Sequence, residues 1–399
     1  MTPPKRISHI KTKHLFILQS FVSNALVIYP LYAIMFTERG GLSVGDVSVL
    51  FAIWTAAALV FELPTGLIAD RYPRKHVLII GELVNAGAFL VWLFLPTFFG
   101  YAIGFVLWGA AYALKSGAYQ ALVYDELASG GRSNEYTKTM SRIKAAEFSG
   151  MLLAFVSASL LSINGVNYGL LLIVSVVTGV ISAGLLLLLP DVRNRQTDAI
   201  IESQPKLLKR ALKTVVRNPR IRIITAWLAV VAGFIGWYEE YTPLFDSTAG
   251  IATKYIPLVI SVVLVLNILA SLIAPRFEKG GMRSKAALIL GAGLIVVFST
   301  LGWWLPVIIT LAHGGLILLR VLRILLDAEL QHAADGSVRA TLGSIAGLLS
   351  YPLTIGVALG FALLSKHMQG FLPFRWVGIA ILIGGMLLLL TQNRATKTR

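Results

Sequence analysis

The chain has 399 residues, 56% of them hydrophobic and only 14% charged, with a mean hydropathy of +0.77. Soluble domains carry about 25% charged residues, so the composition excludes a cytosolic enzyme, a disordered tail and a secreted disulfide scaffold. The net charge of +16 would suit nucleic acid, but in so apolar a chain it reads better as Lys and Arg retained on one side of a membrane.

Apolar stretches run over 14–36, 44–69, 76–95, 98–124, 143–163, 167–190, 222–245, 254–275, 286–304, 306–330, 339–364 and 371–391. A span needs about 20 apolar residues, so each is a candidate. The first follows a basic N-terminus. It is longer than the roughly 7–15 residues of a signal-peptide core and lacks a clear cleavage site, so it is read as the first span. The expected fold is an all-α membrane protein of twelve transmembrane helices. A first bundle would occupy 1–190, a linker 191–221 and a second bundle 222–399.

Twelve spans put both termini and alternate loops on one side. That side holds 28 of the 35 Lys and Arg, the other side four (Arg39, Lys254, Lys366 and Arg375), and three lie within spans. The asymmetry assigns both termini to the cytoplasm and makes nucleic acid a poor partner. The linker is the longest hydrophilic stretch. An amphipathic helix near 205–217 would lie on anionic lipid, or the segment is a solvated connector.

The two halves echo each other. Gly66-Leu67-Ile68-Ala69-Asp70-Arg71-Tyr72 matches Ser271-Leu272-Ile273-Ala274-Pro275-Arg276-Phe277, Tyr29-Pro30-Leu31-Tyr32 matches Tyr241-Thr242-Pro243-Leu244-Phe245, and Asp125-Glu126-Leu127 matches Asp327-Ala328-Glu329-Leu330. Three matches in the same order predict two pseudo-symmetric six-helix units with a site between them.

The stretch Gly66 to Lys75 has a Gly, an Asp four residues on, then Arg71 and the basic pair Arg74-Lys75. It resembles motif A of the major facilitator superfamily, and it lies between the second and third spans, where that family has it. Pro73 departs from the pattern, which usually has Gly there. The resemblance covers all twelve spans and implies a secondary transporter that works by alternating access, as a monomer, in the plasma membrane. Its partners would be a small-molecule substrate, a proton or other coupling ion, and the lipid bilayer. It also implies a conformational latch of Gly66, Asp70, Arg71, Arg74, Lys75 and Asp125. Asp70 would face the N-terminus of the eleventh helix and Arg74 would pair with Asp125, closing the cytoplasmic side in the outward-facing state. The plainer alternative is that the basic residues anchor the loop to lipid phosphate.

Charges inside spans are functional candidates because they are costly there. Lys115 lies about 15 Å before Asp125 on a continuous helix, at mid-membrane, and is the leading cavity candidate. His313, Arg320, Arg323 and Asp327 share one side of the tenth span. Arg323 and Asp327 would form an intrahelical pair or a gate. Glu239 and Glu240 near the end of the seventh span either face protein and carry protons or reach the outer headgroups. Asn24 and Tyr29, with Gln19 and Tyr32, complete a plausible cavity from the first span. Glu62 is assigned to the latch, and Glu82 and Glu147 to pairing with loop bases.

The fifth span lacks the Gly-Pro element of many drug–proton antiporters. Phe105 and Trp108 stand where those proteins tend to have Arg and Gln, before Gly109. No phosphate-binding Gly-x-x-x-x-Gly-Lys-Ser/Thr loop appears, no metal-ligand spacing appears among the six histidines, and no cysteine is present. No cofactor or metal is therefore expected. Phe61-Glu62-Leu63-Pro64 before motif A and the Tyr124-Asp125 helix end resemble bacterial exporter-like members of the family, and that resemblance implies proton-coupled export of an amphiphilic compound. Uptake of a small anion and a non-transporting sensor or assembly partner are the alternatives.

Overall fold

The computed structural model describes residues 9–189, 204–277, 281–302, 304–334 and 339–397. Side chains at 9–11, 63–71, 204–208, 282–283, 306, 339–340, 388–389 and 391–397 are outside the description. The helices are α1 (His9–Ser23), α2 (Tyr32–Glu38), α3 (Val44–Arg71), α4 (Arg74–Phe94), α5 (Phe98–Lys115), α6 (Ala118–Ser129), α7 (Tyr136–Leu161) and α8 (Tyr168–Leu187). They are followed by α9 (Gln204–Arg217), α10 (Pro219–Thr248), α11 (Ile256–Ile273), α12 (Met282–Ser299), α13 (Leu305–Ala333), α14 (Arg339–His367) and α15 (Leu372–Lys397).

Among the described residues, nine helices are long and apolar enough to cross a membrane, and Ser284–Ser299 and Leu372–Leu387 are shorter apolar helices. With the interrupted α1–α2 segment these coincide with the twelve apolar stretches of the sequence. Two compact units emerge. Unit 1 comprises Met1–Leu42, Ile53–Ile201 and Thr253–Ser261, and unit 2 comprises Ser43–Ala52, Glu202–Ala252 and Val262–Arg399.

The internal packing of the units repeats. In unit 1, α4 packs against α5 and α8, and α1 packs on α7. In unit 2, α12 packs against α13 and α15, and α10 packs on α14. The third helix of each half thus lies beside the fourth and sixth, and the first beside the fifth. An apolar helix in a bilayer gains nothing by burying more apolar surface, so contacts are set by shape and by polar pairs.

Two spans expected as continuous helices are broken. The first stops at Ser23 and resumes at Tyr32. Asn24 Nδ2 turns back to the Ser20 carbonyl at 2.9 Å, and Pro30 has no N–H and disfavours helix at Tyr29 before it. Within the break, Ile28 N–H donates to Ser175 Oγ on α8 at 3.1 Å, replacing a helical bond that the bilayer could not supply. The fourth span breaks between α5 and α6, where Ser116 is extended and Gly117 has φ +72°. That conformation is costly for any residue with a Cβ. The straight-helix distance between Lys115 and Asp125 therefore does not hold, because the chain turns between them.

Candidate transport site

The α5–α6 break opens into a cavity of about 310 Å³ inside unit 1, walled by α1, α4, α5, α6 and α7. Its polar walls are Gln19, Ser23 and Asn24 from the first span, Glu82 from α4, Lys115 from the end of α5, Gln120 from α6, and Lys144 and Glu147 from α7. A larger hollow in unit 2, about 470 Å³, is walled by Gly291, Leu294, Ile295, Phe298, Val307 and Leu311. It offers almost no polar surface, as a lipid-facing groove does.

Glu82 is the centre of the unit 1 cavity. Its residue is 1% exposed. Oε1 accepts from Ser23 Oγ at 2.7 Å and from Gln19 Nε2 at 3.5 Å, and Lys115 Nζ lies 3.5 Å away. Gln19 is held in turn by Ser182 Oγ at 3.0 Å. Glu82 Oε2 is buried without a hydrogen-bond partner. Such an atom calls for an explanation, because desolvation without a partner is expensive.

Local sequence explains how Lys115 arrives there. As the last residue of α5 its charge suits the negative end of the helix dipole. Gly81, beside Glu82, leaves the space its stem crosses. A Cβ at Gly81 would lie 2.9 Å from Lys115 Cγ. Lys115, expected at mid-membrane in a cavity between the two halves, lines this pocket inside unit 1, at the end of α5. Glu82 and Glu147, both assigned to loop bases, line the same cavity; Glu147 does pair with such a base, Lys144, at 2.7 Å, whereas Glu82 meets Lys115 at the end of a span. The Gly81-Glu82 dipeptide was the available signal for Glu82, since a membrane Lys needs both an acid and room to reach it.

Asn24 lines the cavity. Tyr29 does not. It stacks on Phe155 with ring centroids 6.1 Å apart and meets Trp108 edge-on at 5.9 Å. Trp108 in turn stacks on Phe105 at 5.9 Å. The aromatic residues that replace polar ones on the fourth span therefore fill the interior of unit 1 with rings.

Of the expected latch residues, Arg74 is paired with Asp125, whose side chain is nearly fully buried. Lys75 Nζ donates to the Leu187 carbonyl at 2.7 Å, closing the end of α8. Lys13 is paired with Glu135. Gly66, Asp70 and Arg71 lie in the last turns of α3, and their side chains lie outside the described residues.

In unit 2, His313 Nε2 on α13 lies 3.2 Å from Asp246 Oδ1 on α10. Both residues are buried, and none of their side-chain nitrogens or oxygens makes a hydrogen bond. Asp246 was missed because it falls one residue past the apolar stretch, whereas α10 continues to Thr248. Arg320 pairs with Glu239 at 2.7 Å, so Glu239 faces protein. Glu240 is half-buried beside it. Arg323 and Asp327 are exposed, and among the described residues no ion pair joins them. The expected intrahelical pair is absent. The polar side of α13 is covered at His313 and left open nearer its C-terminal end. The acid that is paired there is Glu329, with Lys285 on α12 and, at 3.4 Å, with Arg220.

The family model described as Major Facilitator Superfamily matches residues 15–360, and the chain belongs to that family. Folate-like transporter 2 of Caenorhabditis elegans is 24% identical over 281 residues, 64% of this chain and 65% of that protein. The uncharacterized MFS-type transporter YfkF of Bacillus subtilis (strain 168) is 30% identical over 63 residues, 16% of this chain and 15% of that one. The chain thus covers less than two thirds of either relative. Among solved structures, the nucleoside transporter NupG has a TM-score of 0.79 at 13% identity, over 96% of this chain and 98% of that one. The D-xylose-proton symporter has a TM-score of 0.70 at 15% identity, over 96% and 97%. At these identities the likeness is one of fold. The chain is thus a multi-pass membrane protein of the Major Facilitator Superfamily.

Proposed function

We propose that the chain carries a small polar solute bearing a cationic or donor group and an anionic or acceptor group, and that a proton gradient drives it. The observation that supports this reading is Glu82 Oε2, a buried carboxylate oxygen without a partner in a polar cavity. A donor on the solute would satisfy it once the Glu82 side chain turns that oxygen toward the cavity, and an acceptor on the solute would meet Lys115. A bare anion finds Lys115 already beside Glu82. The uptake of anions expected from the sequence therefore has less support than a zwitterion.

His313 and Asp246 are the proton couple in this reading. Two buried ionisable groups 3.2 Å apart can share one proton and respond to its loss. Arg320 with Glu239 forms a second charge couple in the same unit. Arg74–Asp125, with Lys75, acts as the latch of motif A together with Gly66, Asp70 and Arg71. The Lys and Arg asymmetry supports cytoplasmic termini in a plasma membrane, and family resemblance supports a monomer.

The test is purified protein in liposomes with an imposed pH gradient, supplied in turn with pools of zwitterionic, anionic and amphiphilic compounds. Flux is followed in both directions by an internal pH dye and by labelled solute. Proton flux that depends on the zwitterionic pool, and is lost in Glu82→Gln, is expected. Flux with the amphiphilic pool alone would overturn the solute class.

A further inference from the structure

The helix α9, Gln-Pro-Lys-Leu-Leu-Lys-Arg-Ala-Leu-Lys-Thr-Val-Val-Arg, carries Lys206, Lys209, Arg210, Lys213 and Arg217 and no acid. At 100° per residue the apolar positions 207, 208, 211, 212, 215 and 216 occupy one arc and the basic positions the opposite one. One edge of the apolar arc is used within unit 2, where α9 packs against α10 and α14, Ala211 is fully buried and Val215 half-buried. The other edge is open. Leu212 is 47% and Val216 67% exposed, and on the helical wheel they adjoin Lys209 and Lys213, which are also exposed.

The helix is fixed at the end of a membrane span. Only Asn218 separates α9 from α10. The Asn218 side chain caps α10 by accepting from the N–H groups of Arg220 and Ile221 at 3.0 and 3.2 Å. Arg222 Nη1 donates back to the Val216 carbonyl at 3.2 Å. A helix joined so tightly to a span is held at the bilayer surface. An exposed apolar edge flanked by lysines is what a bilayer surface accommodates, with the stems along acyl chains and the ammonium groups among headgroups.

We propose that α9 is a binding site for anionic phospholipid. Lys209, Lys213 and Arg217 hold the phosphodiester headgroups, and Leu212 and Val216 lie against the acyl chains beneath them. Because α9 packs on α10 and α14, bound lipid would stiffen the junction that carries those helices. The site is independent of the solute and of the proton couple.

The absence of cysteine permits a direct test on the full chain. Leu212→Cys is labelled with an environment-sensitive fluorophore. The protein, in neutral detergent, is titrated with phosphatidylglycerol or with phosphatidylcholine. A blue shift that saturates with phosphatidylglycerol alone is expected. Lys209→Gln and Lys213→Gln should each raise the half-saturating lipid concentration about fivefold, the worth of one basic residue at an anionic surface. The charge-keeping variants Lys209→Arg and Lys213→Arg should leave it unchanged. Equal responses to both lipids, a response indifferent to the glutamine substitutions, or loss in the arginine variants would each overturn the proposal.

Discussion

Lys115 Nζ lies 3.5 Å from Glu82 Oε1 at the point where α5 ends and the chain turns into α6. The pair joins two helices that flank the same cavity, and Glu82 has almost no contact with solvent. Removing one member of a buried pair leaves an uncompensated charge, which costs about 3–5 kcal/mol. Ser23 and Gln19 still serve Glu82, so Lys115→Met is expected near the lower figure. The double variant Lys115→Met/Glu82→Gln should be less destabilised than the two single changes added together. Thermal unfolding in detergent measures both, and strict additivity would show that the pair is not coupled.

Gly117 tests the break itself. Its φ of +72° and ψ of −40° have open space where a Cβ would sit, so Gly117→Ala has a backbone cost alone, about 1–3 kcal/mol. Gly87, in the interior of α4 and also with open space around it, is the control. There Ala should stabilise by up to about 1 kcal/mol. Opposite signs in the same unfolding assay are the expected result. Equal effects would mean that the turn at Gly117 is not held in the folded protein.

Charge reversal distinguishes a latch from a lipid anchor at Arg74 and Asp125. Asp125→Arg alone should slow transport at least tenfold, and Arg74→Asp/Asp125→Arg should recover much of it. A loop that merely met lipid phosphate would lose function in the double variant, because Arg74→Asp would be repelled. Lys285 and Glu329 occupy the corresponding place in unit 2, on α12 and α13, and the same exchange there should behave likewise.

Asp246→Asn should abolish accumulation driven by a pH gradient while leaving solute counterflow, which needs no net proton movement, within about threefold of the parent protein. His313→Gln should give the same split. Parallel loss of both activities would move these residues from proton coupling to structure.

Much of the architecture was legible in the sequence because a bilayer requires long uninterrupted apolar runs, and the start of each run agrees with a helix start within a few residues in most cases. The breaks were less legible, because Tyr29-Pro30 and Ser116-Gly117 sit inside runs whose hydropathy remains high. Average apolarity does not register a local change of backbone direction. Lys115 could be found by its charge alone. Glu82 is assigned to a loop base because its place along the helix shows how near a loop it lies and not which helix it faces. Asp246 was hidden by the same reading along the chain, one residue beyond a boundary that the helix ignores. The expected Arg323–Asp327 contact failed for a different reason. Spacing permits an intrahelical pair but does not require one where both groups are solvated.

The charged groups around the unit 1 cavity are matched, Lys115 with Glu82 and Lys144 with Glu147, so its described walls present no net charge to a visitor. A zwitterion that enters such a site leaves the balance at zero, and a proton travelling with it adds one unit. Turnover of that kind is an electric current. An inside-negative membrane voltage would then contribute about 2.3 kcal/mol per 100 mV to each cycle, and the concentration ratio the protein can sustain would follow voltage as well as pH.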